Sequence, residues 1–545
     1  MACWMGPEPN IQPGNKVRDT VRHAIQSTAS GAIKEQIFKH LGWVEIDGSW
    51  KYLHAGGALG AQNVKVELDE RLKTFALPAK PANPKEAMKS SLRLLDIAPH
   101  RVTLALWSLV FLAPLCEWLR RARLEPKFLV WFYGYTGTRK TTFAKLLTCH
   151  FGDLLEHPPA SFKDTANSVE KRGFDAKDSL LLIDDYHPTE NPREAKAMMQ
   201  LAQQILRGYG DRIGRGRMKQ DTSLRQDYPP RGMGVVTAED VLSGSSSVAR
   251  LFPVEIQIDD IDLEKLTAAQ QQASALSEAM VGYLEWIAAA MDERDDARLT
   301  QIFYDRRNEA SRLNVHGRLT EAASWLYMGL SFGLEYAVDV GAIGPDRKQQ
   351  LLNEAWDIFL IIAGDQGQQV TEVKPTTRFV SIVSELLANR TIYTEPTKPL
   401  HPDDFPKSST HVGWHDDAYF YFLPEVLYNT VSRFLSAEGT HFSVTSHTLW
   451  KQLAEEGLTK TETYKENGKD RRHNLVKKEI RGNRSRKLCV IADALRGNGK
   501  VEIASAKRRK PTQTTDTEDL LGLRNGDNAP ESGGDDPLSE LFGDA

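Results

Sequence analysis

The apolar positions of this chain fall into short unbroken runs set between stretches of helical spacing. Phe128–Tyr133 is one such run; Gly134-Tyr135-Thr136-Gly137-Thr138-Arg139 interrupts it, and Lys140-Thr141-Thr142-Phe-Ala-Lys-Leu-Leu147 then takes up a helical period. Leu180–Ile183 is a second run, ending in Asp184 and Asp185, and the stretch Pro229–Asp240 holds a third, ending in Thr237. A short apolar run bounded by glycine or acid reads as a buried strand, and such strands alternating with helices predict an α/β sheet whose strand ends open onto a ligand crevice.

The same reading divides the chain. Residues 1–84 predict a small α+β domain: a Pro-rich start, a helix from about Val17 to Leu41, and a hairpin of Gly42–Ile46 and Ser49–His54 around Asp47-Gly48. A glycine turn at Ala55–Gly60 and a strand at Val64–Leu68 follow, and Pro78–Pro84 marks the boundary. Residues 85–260 predict the α/β core, with helices at Pro84–Asp96, 102–121 and about Arg193–Gly208, then a glycine-arginine loop carrying Arg212, Arg215 and Arg217. Residues 261–390 are helical by period, and 391–422, rich in Pro, His and Asp, read as a linker. Its His401, His411 and His415 among aspartates match no metal-ligand spacing.

In residues 423–500, helices at 424–437 and Ser446–Glu456 precede strands Lys477–Ile480 and Arg486–Ile491 around Arg481–Arg484. Two helices and a basic hairpin predict a winged-helix-like nucleic-acid-binding domain. Residues 501–545 predict a disordered tail, basic then acidic, whose tip Pro537–Phe542 offers a small apolar hook for a partner.

At 545 residues, 41% hydrophobic and 26% charged, the chain has room for several domains. Its net charge of −4 decides nothing about nucleic acid, but residues 451–510 hold 18 Lys/Arg against 8 Asp/Glu. That local excess is the footprint of a phosphate-backbone partner. The 4 cysteines are scattered without a C-x-x-C pair, which fits a reducing cytoplasm and argues against zinc or a disulfide framework. No signal peptide is expected, and the run Val102–Cys116 is too short to span a bilayer, so no membrane partner is expected.

The strand–loop–helix around Gly134 is what a phosphate-binding loop requires. Gly134 through Thr142 would cradle ATP with backbone N–H groups and a helix N-terminus, Lys140 would reach the outer phosphates, and Thr141 would hold Mg²⁺. Arg139 stands where the usual second glycine belongs. It predicts either that Gly137 takes the strain or that Arg139 stays in a helical conformation. A glycine turn between a core strand and a helix would look alike, but the acidic strand end some forty residues on makes the pair specific. There Asp184 would hold Mg²⁺ and Asp185 would orient the attacking water.

In ring-forming ATPases of the AAA+ type, the next strand lies beside the acidic one and its polar end senses the γ-phosphate, which implies that role for Thr237. Arg250 is placed to reach a neighbour's nucleotide, and Arg318, opening a helix in the lid, is the candidate for a lid arginine aimed at the nucleotide. Beyond these motifs, Gly42-Trp43, Trp50–Gly60, Leu94–Val102, Thr165-Ala-Asn167 and the Pro-Pro-Arg-Gly strand resemble a phage- and plasmid-borne family known as a domain of unknown function. Its members are fused to or encoded near primases and are viewed as helicase-like P-loop ATPases.

The resemblance covers roughly residues 10–390. It implies a ring-forming, AAA+ or superfamily 3-like DNA helicase or translocase serving a mobile element, with any primase on another polypeptide. The alternatives are an ATP-switched DNA-binding initiator or regulator, or a defence or signalling NTPase acting on proteins.

Overall fold

The computed structural model describes residues 17–495, apart from 29–35, 79, 82, 188, 190, 215, 217–226, 243–248, 294, 314, 373, 399–407, 438–441, 443 and 467–468. The tail beyond residue 495, with its apolar hook, and Arg215 and Arg217 of the basic loop lie outside the described residues.

Helix α1 is Val17–Thr28, shorter than its periodicity suggests. Near its described end Ser27 and Thr28 donate their hydroxyls to the carbonyls of His23 and Ala24. Strand β1 (Gln36–Phe38) takes the place of its expected last turns. β2 (Gly42–Ile46) and β3 (Ser49–His54) form the expected hairpin, with Asp47 at φ 51° and Gly48 at φ 77°, the left-handed pair that a two-residue turn needs. β4 (Gly57–Leu59) joins them, and β5 (Val64–Val66) runs parallel to β1.

This N-terminal sheet is not walled off at Pro84. The Trp43 indole donates to Pro114 O (2.7 Å), its backbone N–H donates to Asp178 Oδ2 (2.9 Å), and the Tyr52 hydroxyl donates to Asp178 O (2.8 Å). One hydrophobic core runs from Leu41 to Phe359 and holds Trp43, Tyr52 and Phe75 with the centre of the molecule.

That centre is built on α2 (Pro84–Leu92), capped by Asn83, then α3 (His100–Leu112) and α4 (Cys116–Arg121). The apolar segment His100–Arg121 is long enough to cross a membrane by length and composition, but it is wholly buried within the protein. Five parallel strands follow: β6 (Leu129–Tyr133), β7 (Ala160–Ser161), β8 (Leu180–Tyr186), β9 (Met233–Ala238) and β10 (Leu251–Glu255), in the spatial order β10–β6–β9–β8–β7. Their crossovers include α5 (Lys140–Thr148), α6 (Ala166–Asp175) and α7 (Pro192–Asp211).

Then come α8 (Leu263–Gln271), α9 (Ser274–Glu293), α10 (Asp296–Ala310), α11 (Gly317–Asp339) and α12 (Pro345–Glu372). These helices share the core that ends at Phe359, with α11 lying along α3, so most of the expected helical lid is built into the body of the fold.

A second core gathers residues from Phe379 to Leu495. It takes α13 (Pro375–Ala388) away from the expected lid. It also turns the expected linker into three strands: β11 (Ile392–Pro396), β12 (Thr410–His415) and β13 (Tyr419–Phe422). Ile392, Val412, Phe420 and Phe422 are the apolar alternates that bury one face of this sheet. α14 (Pro424–Ala437), α15 (Ser446–Glu455), β14 (Thr459–Lys460), β15 (Glu462–Glu466), β16 (Lys469–His473), β17 (Val476–Ile480), β18 (Asn483–Ile491) and α16 (Ala492–Leu495) complete it. The sheet order is β11–β12–β13–β18–β14, with β17 paired to β18 and β15–β16 as a separate hairpin. His401, Asp403 and Asp404 lie outside the described residues, among which no His, Cys, Asp or Glu cluster is arranged to hold a metal ion.

Candidate active site

The loop after β6 turns sharply where the C-terminal ends of the parallel strands converge. A Cβ on Gly134 would lie 2.2 Å from Ile256 O, so the loop runs hard against the end of β10 and only glycine fits. Thr138, buried, donates to Tyr135 O (2.8 Å) and closes the turn, while Tyr135 points outward. Gly137 has φ 93°, with open space around its Cβ position.

Arg139 is also left-handed, at φ 57° and ψ 21°. Neither sequence expectation holds for it: the position keeps the backbone of the glycine it replaces, which costs roughly 1–2 kcal/mol for a side chain with a Cβ. As N-cap of α5, Arg139 offers no side-chain cap, so no side chain of the cap residue covers the first N–H groups of Lys140, Thr141 and Thr142.

Lys140 Nζ folds over this loop toward Tyr135 O (3.4 Å). Partial burial pushes its pKa down, and Glu239, Asp184 and Asp185 pull it back up. Thr141 Oγ1 donates to Asp184 Oδ1 (2.9 Å), and the Thr237 hydroxyl donates to that same oxygen while accepting from the Asp185 N–H (3.1 Å). Thr237 therefore ties β9 to the Asp184 carboxylate and to the Asp185 backbone of β8. A register shift between Ile183 and Tyr186 and a φ of 73° at Asp185 turn the second carboxylate aside. It lies 3.2 Å from Lys163 Nζ and 3.4 Å from His187 Nδ1.

Two residues of this cluster were missed from sequence. Glu239 accepts a hydrogen bond from the Thr136 hydroxyl of the loop. It follows Thr237 by two positions, the spacing that returns to the same side of a strand, which was the available signal. Lys163 comes from the turn after β7 and left no local mark.

Arg250 and Arg318 are elsewhere. Arg250 immediately precedes β10, and its carbonyl accepts from Leu129 N at the N-terminal end of β6, the opposite end of the sheet from the loop. Both guanidinium groups bond Asp211 at the end of α7. Arg318 is thus no lid residue over its own nucleotide loop, because α11 opens at the base of the sheet. Arg212 of the expected phosphate-touching loop is spent on the carbonyls of Pro126, Pro230 and Gly232.

In the C-terminal unit, α15 is N-capped by Thr445, which accepts from Thr448 N. Arg481 and Gly482 form the left-handed tip of the β17–β18 hairpin. Arg481 pairs with Glu395 of β11 at 2.6 Å, which ties that tip to the sheet. Lys487, counted in the basic excess, is fully buried and donates to the Lys478 and Asn483 carbonyls, both at 3.0 Å. Lys477, Arg484 and Arg486 are exposed.

A parallel sheet in this order, with a glycine loop and an acidic strand end at its C-terminal edge, is consistent with a helicase-like NTPase core. Among solved structures, the chain resembles one described as "SCCmec type IV Cch - active helicase": 14% identity, 88% of this chain and 84% of that chain covered, TM-score 0.56. The JCV helicase aligns over 46% of this chain and 74% of its own at 15% identity, but its TM-score of 0.21 carries no weight. No family model and no curated protein matches. The chain therefore has a helicase-like fold.

Proposed function

We propose that the protein is an ATP hydrolase of the helicase type. It binds ATP and Mg²⁺ on Gly134–Thr142 and uses hydrolysis to move along or remodel DNA, as a ring of identical subunits. Its biological setting is replication of a phage or plasmid element beside a separate primase. The observation that carries the reading is the meeting of Lys140, Thr141, Asp184 and Thr237 at one edge of the sheet.

These residues fit the nucleotide and the ion. Thr141 and Asp184 present a hydroxyl and a carboxylate 2.9 Å apart, the hard oxygen donors that Mg²⁺ prefers. The uncapped α5 N-terminus and Lys140 offer N–H groups and a cation to an anion. Bound Mg²⁺ and ATP supply the transferable phosphoryl group and part of its charge neutralisation. Lys140 adds its ammonium charge, Thr237 holds the Asp184 carboxylate and the Asp185 backbone in place beside the loop, and Asp185 offers an acceptor that orients water.

The C-terminal unit supports DNA as the track. Apart from the added strands β11 and β12 between α13 and β13, its order α13, β13, α14, α15, β14, hairpins, β18, with β18 between β13 and β14, follows the winged-helix pattern, in which α15 would meet the DNA and the exposed basic residues its backbone.

The test is ATP turnover by the purified chain, alone and with single- or double-stranded DNA, at low and moderate salt. Stimulation by DNA that fades with salt is the expected result. Turnover indifferent to DNA would move the reading to the ATP-switched binder or the protein-directed NTPase.

A further inference from the structure

At the edge of the parallel sheet opposite Gly134 lies a cavity of about 330 Å³. Pro126 leads from it into β6, Asp178 into β8 and Arg231 into β9. Its volume is at the small end of the range in which proteins hold ligands. Arg120 and Glu125 are its exposed lining residues, so the cavity meets solvent there.

Most polar groups on its wall already have partners. Glu117 bonds Arg120 and lies 3.2 Å from Lys177 Nζ, and Arg212 is used on three backbone carbonyls. Two groups of opposite kind are left over. Asp178 is 1% exposed, and its Oδ1 has no hydrogen-bond partner among the described residues; Arg231 Nη2, also buried, has none either.

Both side chains are otherwise anchored. Asp178 Oδ2 accepts from Trp43 N (2.9 Å) and lies 3.1 Å from Lys177 Nζ, two donors on one oxygen that suit the ionised carboxylate. Arg231 Nε donates to Phe174 O (2.8 Å), and its guanidinium lies 3.7 Å from the centre of the Phe174 ring. An ionised carboxylate only accepts and a guanidinium only donates, so one occupant must do both in return. Leaving either group buried and unmet is costly.

The lining favours an anion. Four cationic side chains face three carboxylates, and one of the three, Glu125, also pairs with Lys127 at 3.8 Å. Sulfate, carboxylates and nucleic-acid phosphodiesters are acceptors only at neutral pH. Hydrogen phosphate accepts through its charged oxygens and donates through the hydroxyl it keeps. Bicarbonate offers the same pairing in a smaller, planar frame.

We propose that this cavity is a binding site for inorganic phosphate, separate from the nucleotide loop, in which Arg231 donates to the anion and Asp178 accepts from its hydroxyl. The site does not depend on ATP hydrolysis.

The test is isothermal titration calorimetry of the full-length chain with phosphate, bicarbonate and sulfate at matched ionic strength. Phosphate should bind at least ~10-fold more tightly than sulfate, the scale of one buried polar group left unpaired. Arg231→Gln should weaken phosphate at least ~10-fold, by removing a charge-assisted bond, whereas Lys140→Ala should leave that binding in place. Asp178→Asn should lose the preference over sulfate. Because Asp178 also anchors Trp43, its urea midpoint is measured alongside, and Arg231→Gln carries the test if Asp178→Asn does not fold. Equal binding of sulfate, tighter binding of bicarbonate, or loss of phosphate binding in Lys140→Ala but not Arg231→Gln overturns the proposal. So does the absence of binding at millimolar phosphate, the result expected if only ordered water fills the cavity.

Discussion

At the C-terminal edge of the central sheet, Arg139 and Asp185 both carry positive φ, and Lys140 rests on a single long hydrogen bond to Tyr135 O. At the N-terminal edge the polar groups are mostly buried and paired. Trp43 is bonded to Pro114 and Asp178, and Arg212 to three carbonyls. Nearby, the helix that starts at the phosphate loop ends at the buried ring of His150. Left-handed residues occur at both ends, since Asp178 and Arg212 at the base also carry positive φ. The ends differ in that the rim holds its charge loosely, where a ligand can reorganise it, while the base ties its polar groups into buried bonds. Damage to the base should therefore appear as lost stability, and damage to the rim as altered turnover.

The largest stability effect is expected at the base. Trp43→Ala removes a fully buried indole and should cost about 4 kcal/mol in urea unfolding, with ATP-analogue affinity unchanged under native conditions.

Next comes acid. His150 Nδ1 donates to Leu147 O (2.8 Å), and its Nε2 accepts from Ser91, whose oxygen accepts from Trp107. That network suits only the neutral ring, and burial lowers its pKa to about 4; His40 at the base is lowered to about 4 as well. Because both folded values lie below the unfolded one, this stability is intact above about pH 6.5 and drains away as pH falls toward 4. His150 alone accounts for about 3 kcal/mol. His150→Gln should flatten the slope in a pH series of unfolding midpoints, the rest coming from other histidines lowered by burial such as His40 and His54; an unchanged slope would refute the assignment.

The smallest effect belongs to the rim. Arg139→Gly relieves a left-handed side-chain position and should stabilise by about 1 kcal/mol. A loss of stability there would show that the arginine is held by favourable contacts rather than strained.

The rim was largely legible in the sequence, because its elements are continuous in the chain: an apolar run, a glycine loop and a helix start, then an apolar run ending in two acids. What escaped is what depends on distant pairing. The strands of 391–422 were hidden by their Pro, His and Asp content, and Tyr419–Phe422 becomes a strand by pairing with Leu488–Ile491. The Pro-rich link at Pro78–Pro84 does punctuate the chain, yet Trp43 spends its indole on Pro114 across it. Glu239 and Lys163 join the site through the sheet order, and Arg318 leaves it for the same reason. The left-handed Arg139 broke a rule of local propensity, so sequence placed the loop but not its strain.

The central claim is that the rim performs the chemistry, and ATP turnover by Lys140→Ala beside the wild-type chain tests it most directly. The account predicts a fall of at least ~100-fold, the scale of losing one preorganised charge at a reacting phosphate, with an unchanged urea midpoint. Turnover equal to wild type would contradict it.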